Sequence, residues 1–249
     1  MRRELLQPGV LALDFDRPQR GNALSAELVG ELTLAVDEAA ADAAVHTLVL
    51  RPAGKHFCTG FDLGELDNES DADLLQRFVR VELLLASLWH SPLRTVALAQ
   101  GRAWGAGADL FAACDVRAAM EGTTFCFPGA GFGLVLGTRR LAERVGADLA
   151  RRWTTEALVF ESPEALRAGF ATDIVAGDPD QWLSGRCAPP AVDRQTAGAL
   201  RAATRPDLRD ADLAALVRSA APAGLRQRIR DYRERQLRST PGRDARRAA

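Results

Sequence analysis

Lys55-His56-Phe57-Cys58-Thr59-Gly60-Phe61-Asp62-Leu63, followed by Gly101-Arg102-Ala103-Trp104-Gly105-Ala106-Gly107-Ala108-Asp109, decides the reading of this chain. Each stretch puts a glycine-bordered turn just after an apolar, strand-like run. Two such turns can aim two backbone N–H groups at one point. N–H groups converging on one oxygen stabilise an enolate or a tetrahedral oxyanion. A chain in which this pair meets binds a polarised carbonyl, a thioester above all.

Outward from these turns, the pattern alternates between strands and helices. Val10 to Asp16 reads as a strand, Arg17-Pro18-Gln19-Arg20-Gly21-Asn22 as a loop, and Ser25 as the N-cap of a helix through about Ala41. Leu28, Leu32, Ala35, Val36 and Ala39 share one face of that helix. His46 to Leu50 is the next strand, so the three form a βαβ unit. An acidic loop from Gly64 to Asp73 precedes a helix from Leu74 to Trp89, and Thr95 to Ala99 is a further strand. Gly105 to Cys114 reads as a helix, then Val116 to Ala119 and Thr123 to Phe127 as strands. Leu141–Val145, Ala147–Leu158 and Pro163–Ala168 are expected to be helical, with a last short strand at Ile174-Val175. After Asp178 the composition shifts to two helical stretches, about Ala191–Ala203 and Asp212–Gln236. An arginine-rich tail over 238–249 is expected to be disordered. The expected organisation is a core over 1–178 and a C-terminal helical region over 179–237.

Composition excludes several function classes. The 249 residues are 47% hydrophobic and 26% charged, with a net charge of -1, which gives no reason to expect nucleic acid or an anionic membrane as partner. Lys55 is the only lysine. Cys58, Cys114, Cys126 and Cys187 form no CxxC pair, and no Cys/His cluster has zinc spacing, so the expectation is reduced, buried cysteines and no metal. The N-terminus lacks a signal-peptide core, and no stretch approaches about 20 apolar residues. A cytoplasmic protein is the default expectation.

The motifs together resemble the crotonase, or enoyl-CoA hydratase/isomerase, superfamily. The resemblance covers about Val10 to Val175 and rests on Arg17-Pro18-Gln19-Arg20-Gly21-Asn22-Ala23-Leu24, Phe57 to Leu63, Gly101 to Val116, and Ser162-Pro163-Glu164-Ala165-Leu166-Arg167-Ala168-Gly169-Phe170, in that order. It implies an α/β fold of repeated ββα units, spiralling into two roughly perpendicular sheets flanked by helices. C-terminal helices would build a homotrimer or a dimer of trimers. The partner implied is an acyl-CoA-type small molecule, with CoA part of the substrate rather than a separate cofactor.

Carried over position by position, the resemblance makes the N–H groups of Phe61 and Ala106 the oxyanion donors. Ala106 opens a helix, where free N–H groups and the positive dipole end favour an anion. Asp109 lies one turn further and matches a catalytic glutamate of the hydratases, shortened by one methylene. The second hydratase glutamate falls in Phe125-Cys126-Phe127-Pro128-Gly129, where it is replaced by Gly129. Arg20, Asn22 and Ala23 of the first loop, with Gly60, Trp104, Gly105, Phe127, Gly129 and Phe132, are expected to border the substrate. Arg17, Arg20 and Lys55 are candidate partners of the CoA phosphates. Asp62 reads mainly as a turn-fixing residue, His56 as a strand-end residue, and Glu65 and Asp67 as solvated. Cys58 and Cys126 have no adjacent base and are not expected to be nucleophiles. The expected activity is enolate chemistry on a thioester. The alternatives are an acyl-CoA-binding protein that has lost catalysis, and a thioester decarboxylase or C–C lyase.

Overall fold

The computed structural model describes residues 1–239; residues 240–249, most of the expected tail, lie outside them. Strands β1 (Arg2–Gln7), β2 (Val10–Phe15), β3 (Thr47–Pro52), β4 (Arg94–Ala99), β6 (Val116–Met120) and β9 (Asp173–Val175) form one sheet in that order. β1 runs antiparallel to β2, and every other pairing is parallel. A smaller sheet joins β5 (Arg102–Trp104), β7 (Thr124–Cys126) and β8 (Phe160–Glu161).

Parallel neighbours need crossovers, and helices supply them. Helix α1 (Ala26–Ala41) links β2 to β3, α2 (Asp71–Trp89) links β3 to β4, and α3 (Ala106–Ala113) lies between β5 and β6. Such strands are buried on both faces, which is why β3 reads Thr-Leu-Val-Leu rather than alternating with polar residues. Leu13, Leu48, Leu50 and Ala97 enter the main core under the crossover helices. Val10, Ala12, Val49, Val96 and Ala118 face the other side, where Leu183 and Cys187 cover them.

The helix starts follow local chemistry. Ser25 Oγ accepts the N–H of Leu28 at 3.2 Å, and the expected face of α1 is buried, with Val29 added. Ser70 and Asp73 close a capping box, so α2 begins at Asp71, three residues before its apolar spacing becomes visible. Asp178 and Pro179 start α7 (Pro179–Arg186), a helix whose cap-and-proline signal the periodicity reading passed over.

Two expected helices change. The helix over 147–158 is α5 (Ala147–Thr155), because Ala157 takes a left-handed φ of 46°. Beside it, α4 (Thr138–Val145) and α6 (Ser162–Arg167) lie close to expectation, as does α8 (Arg194–Thr204). The single helix over 212–236 is two, α9 (Arg209–Ala220) and α10 (Leu225–Ser239), broken at Pro222 and at Gly224, whose φ is 83°. The break lets both helices fold onto α2, where Leu216, Ala220, Leu225 and Ile229 pack with Leu66, Leu74 and Phe78. Asp71 holds that arrangement by accepting the N–H groups of Gly224, Leu225 and Arg226 at 2.8, 3.0 and 2.8 Å. Helices α9 and α10 thus pack back onto the helix that also borders the site.

Candidate active site

The two glycine-bordered turns meet through backbone pairing. Cys58 N–H donates to the Arg102 carbonyl at 3.1 Å, and Trp104 N–H to the Cys58 carbonyl at 2.9 Å. This registers Gly60 against Gly105. Gly60 has φ of 104° and Gly105 of 52°, and a β-carbon on Gly60 would sit 2.9 Å from the Trp104 oxygen. Only glycine permits both the conformation and the approach. Gly107 has the other glycine role: a β-carbon there would lie 2.2 Å from the Cys58 oxygen, so it lets α3 press onto that segment.

The direction of the Phe61 N–H follows from its neighbours. Gly60 C=O accepts from Leu24 N–H at 2.8 Å, and Asp62 N–H donates to the Leu24 carbonyl at 3.1 Å. In extended backbone successive groups alternate sides. The Phe61 N–H therefore points away from Leu24, toward the side where Ala106 lies. Ala106 is the first residue of α3 and has an ordinary negative φ, so alanine costs nothing there. Its N–H is one of the groups that no helix satisfies internally. Among the described residues, neither N–H donates to a backbone carbonyl in the turns and loops around it.

Both turns open onto a cavity of about 300 Å³. Gly60, Phe61, Gly105, Ala106, Asp109, Phe127, Gly129 and Phe132 line it, as do Phe78, Leu136, Thr138, Thr154, Thr155 and Tyr232. The Phe61 ring stacks on Phe78 with centroids 4.1 Å apart, and the Arg77 guanidinium lies 4.1 Å from the Phe61 centroid. Tyr232 of α10 packs on Gly131, where a β-carbon would be 2.5 Å from its ring, and meets Phe132 edge-on at 5.4 Å.

Asp109 is only 4% exposed, and its Oδ1 has no hydrogen-bond partner. Burial pushes its carboxyl well above the usual carboxylate range; the Glu82 charge pushes the same way and Arg140 opposes. The shift favours the protonated form of the carboxyl. Behind it, Arg140 donates to both Glu82 oxygens at 3.1 and 2.6 Å, with both side chains almost fully buried.

Gly129 also lines the cavity, in the 3-10 turn Pro128–Phe132. Its φ is not positive, and a β-carbon would meet nothing nearer than the Leu134 oxygen at 3.8 Å. Neither strain nor crowding requires glycine here.

Other sequence candidates fall outside the cavity lining. Asn22 is completely buried, and its amide is consumed by the Arg17 N–H and the Ala53 and His56 carbonyls, which hold its φ at 54°. Arg17 is spent on the Ala23 carbonyl at 2.6 Å and on Asp62 at 2.9 Å. Asp62 accepts the Gly64 N–H as well; burial works against its charge, but these donors hold its carboxyl below the usual range. Arg20 is exposed, close to Gly64, and Lys55 is exposed. His56 Nδ1 accepts the Arg102 N–H at 3.2 Å. Trp104 contributes backbone only, since its indole N–H goes to Thr124 and Arg102 covers its ring. Glu65 accepts from Asn68, and Asp67 ties Arg230 of α10 to the loop. Burial pushes the Cys58 thiol up to about 12 and the Cys126 thiol to about 11, which silences both as nucleophiles.

Reading the sequence missed Tyr232 and the threonines on the cavity wall, because they arrive from segments distant in sequence. It also missed Glu82, which occupies an apolar face of α2; a carboxylate at such a position signals a buried ionic partner.

Comparison with known proteins agrees with this architecture. The family model for enoyl-CoA hydratase/isomerase matches residues 6–184. "Enoyl-CoA hydratase AFT6-1" of Alternaria alternata is 37% identical over 176 residues, 70% of this chain and 58% of its own. The chain spans about half of the length of the Alternaria alternata relatives it matches. "Probable enoyl-CoA hydratase echA6" of Mycobacterium tuberculosis is 34% identical over 189 residues, covering 74% of this chain and 75% of that one. A solved structure from Bordetella parapertussis, provisionally described as an enoyl-CoA hydratase/isomerase, is 44% identical with a TM-score of 0.88, covering 93% of this chain and 97% of that one. With the family's profile spanning both turns and a solved relative superposing along nearly its whole length, this chain belongs to the enoyl-CoA hydratase/isomerase family.

Proposed function

We propose that the cavity holds the acyl part of a CoA thioester, with the thioester oxygen between the N–H groups of Phe61 and Ala106. The supporting observation is that two unspent N–H groups and the buried Asp109 belong to one mostly apolar cavity. As negative charge moves onto the oxygen, the N–H pair and the start of α3 stabilise the enolate. Asp109, whose burial favours its protonated form, then acts as an acid. The α-carbon takes that proton, the enolate electrons return to re-form the carbonyl, and Asp109 is left as carboxylate. A protonated carboxyl cannot take a proton from water, and Gly129 supplies no second acid. The site is therefore suited to enolates formed by loss of a group, as in decarboxylation or C–C cleavage, rather than to rapid hydration.

A second reading follows from Gly129 itself: a protein that binds acyl-CoA without turning it over. Arg20 and Lys55, both exposed, are the proposed partners of the CoA phosphates. Assembly as a trimer or dimer of trimers in the cytoplasm belongs to the same reading; α8 buries none of its residues, and Leu200 on it is exposed. Among the described residues no helix is long and apolar enough to cross a membrane.

The test is turnover of a panel of enoyl- and malonyl-type thioesters by the wild type and by Asp109→Asn. Enolate chemistry expects turnover of at least one member, lowered about 10²–10⁴-fold in the variant. Binding without any turnover establishes the second reading, and failure to bind any thioester overturns both.

A further inference from the structure

The cavity onto which both turns open concentrates the chain's aromatic residues. Ten Phe, four Trp and one Tyr make fifteen aromatics in the whole sequence, 6% of it. Five of them, Phe61, Phe78, Phe127, Phe132 and Tyr232, are among the twenty described residues that line this one cavity. No Lys, Arg or His is among those twenty. A charge on the far part of a bound acyl group would have no cation to meet there, and burying it unpaired would be strongly unfavourable. The volume of about 300 Å³ is at the low end for small-molecule sites, which suits a compact body better than a long extended chain.

The rings are held in place by their neighbours. Phe61 stacks on Phe78, and Phe127 meets Phe170 edge-on with centroids 5.7 Å apart. Phe132 and Tyr232 meet at an interplanar angle of 65° and so form a corner. A third ring in such a corner stacks on one partner and meets the other edge-on, the two arrangements aromatic pairs prefer. Gly131 lets Tyr232 lie down on the turn, because a β-carbon there would be 2.5 Å from its ring. Helix α10 fixes the corner from both sides of Tyr232: Arg228 donates to the Phe132 carbonyl and Arg235 to the Gly131 carbonyl, each at 3.2 Å. Position 129 adjoins the corner, since a β-carbon on Gly129 would lie 4.0 Å from Phe132 Cζ. The room left by the absent side chain is thus room beside an aromatic ring.

We propose that the acyl group of the thioester carries an uncharged aryl ring, held in the corner of Phe132 and Tyr232, with Gly129 supplying the space for it. Phe132 and Tyr232 are then specificity-determining residues, and glycine at position 129 admits the ring instead of placing an acid. The inference rests on the proposed thioester site. It concerns the acyl group alone and is read by binding, so it applies whether or not the bound thioester is turned over.

The test is calorimetric binding of three CoA thioethers that keep the carbonyl but cannot be cleaved. They end in a phenyl ring, a cyclohexyl ring or a straight chain of the same six carbons. The cyclohexyl probe has the skeleton of the phenyl probe and is the more hydrophobic, so burial alone would favour it. The wild type should bind the phenyl probe about three- to tenfold more tightly than either saturated probe, the scale of a favourable ring pair. Tyr232→Leu should bring that ratio close to one while still binding the straight-chain probe, and Tyr232→Phe should keep the ratio. Equal or tighter binding of a saturated probe by the wild type, or an unchanged ratio in folded Tyr232→Leu, overturns the proposal. If Tyr232→Leu does not fold, Phe132→Leu makes the same comparison with the same two outcomes. Binding of the saturated probes without an aryl preference overturns the proposal and leaves the thioester site standing; binding of none of the three overturns both.

Discussion

Gly137 and Asp109 occupy mutually dependent positions: the carboxyl fills the space where any side chain on residue 137 would begin, 2.3 Å from Oδ1. The glycine also holds a left-handed φ of 65°. Gly137→Ala is therefore expected to lose stability by about 1–3 kcal/mol from backbone strain and crowding. It should also displace Asp109 and lower any turnover that depends on it. Chemical denaturation together with thioester turnover checks both; a variant as stable and active as the wild type contradicts the contact.

Position 129 offers the converse experiment. A side chain fits there with nothing nearer to its β-carbon than 3.8 Å. Gly129→Glu is expected to fold and to raise hydration of a short enoyl-CoA, with about 10²-fold as the lower end of what a placed acid or base contributes. A folded variant that binds the thioester but gains no hydration would show that the missing acid does not limit that reaction.

Stability should carry the signature of the buried acid. The folded-state affinity of Asp109 for its proton is raised, so its unfolded form releases the proton first as pH rises. Between the two values the unfolded state holds fewer protons, and stability falls with pH. The contribution is full below the usual carboxylate value and is lost as pH rises toward the folded value. Asp109→Asn removes this dependence, so the difference in stability between variant and wild type should move in the variant's favour from pH 4 to pH 8. Urea unfolding across that range checks the sign, and a constant difference contradicts it.

Asp71 is the latch of the last helix. One carboxylate accepts the three N–H groups of Gly224, Leu225 and Arg226, and α10 then delivers Tyr232 to the cavity. Asp71→Ala is expected to cost about 1–2 kcal/mol, the scale of a lost helix cap, and to weaken acyl-CoA binding through Tyr232. Hydrogen exchange confined to α10 would locate the effect; unchanged protection there would contradict the latch.

The site was legible in sequence to an uneven degree, for physical reasons. Gly60, Gly105 and Gly107 announce themselves because only glycine survives their φ values or their contacts with Trp104 and Cys58. The strands β2, β3 and β4 were legible because burial on both faces leaves apolar runs. Tyr232 was not, because its place depends on the break at Pro222 and Gly224, which the periodicity of α9 and α10 concealed. Asp109 was recognised as a candidate catalytic residue, but its upward shift was not, since that comes first from a burial created by packing between elements distant in sequence. Asn22 was read toward the substrate because its loop resembles the family's first loop; its complete burial and its hydrogen bonds to the Ala53 and His56 carbonyls are tertiary facts.

The central claim is that one carbonyl oxygen sits between the N–H groups of Phe61 and Ala106. It is tested most directly by the infrared C=O stretch of a ¹³C-labelled acyl-CoA thioester bound to the wild type and to Ala106→Pro. Proline is tolerated at the first residue of a helix, so this variant removes one N–H with little cost to the fold. The account expects a downshifted carbonyl band in the wild type and a band returned toward its free position in Ala106→Pro. An unshifted band in the wild type, or the same downshift in a folded Ala106→Pro, would contradict it.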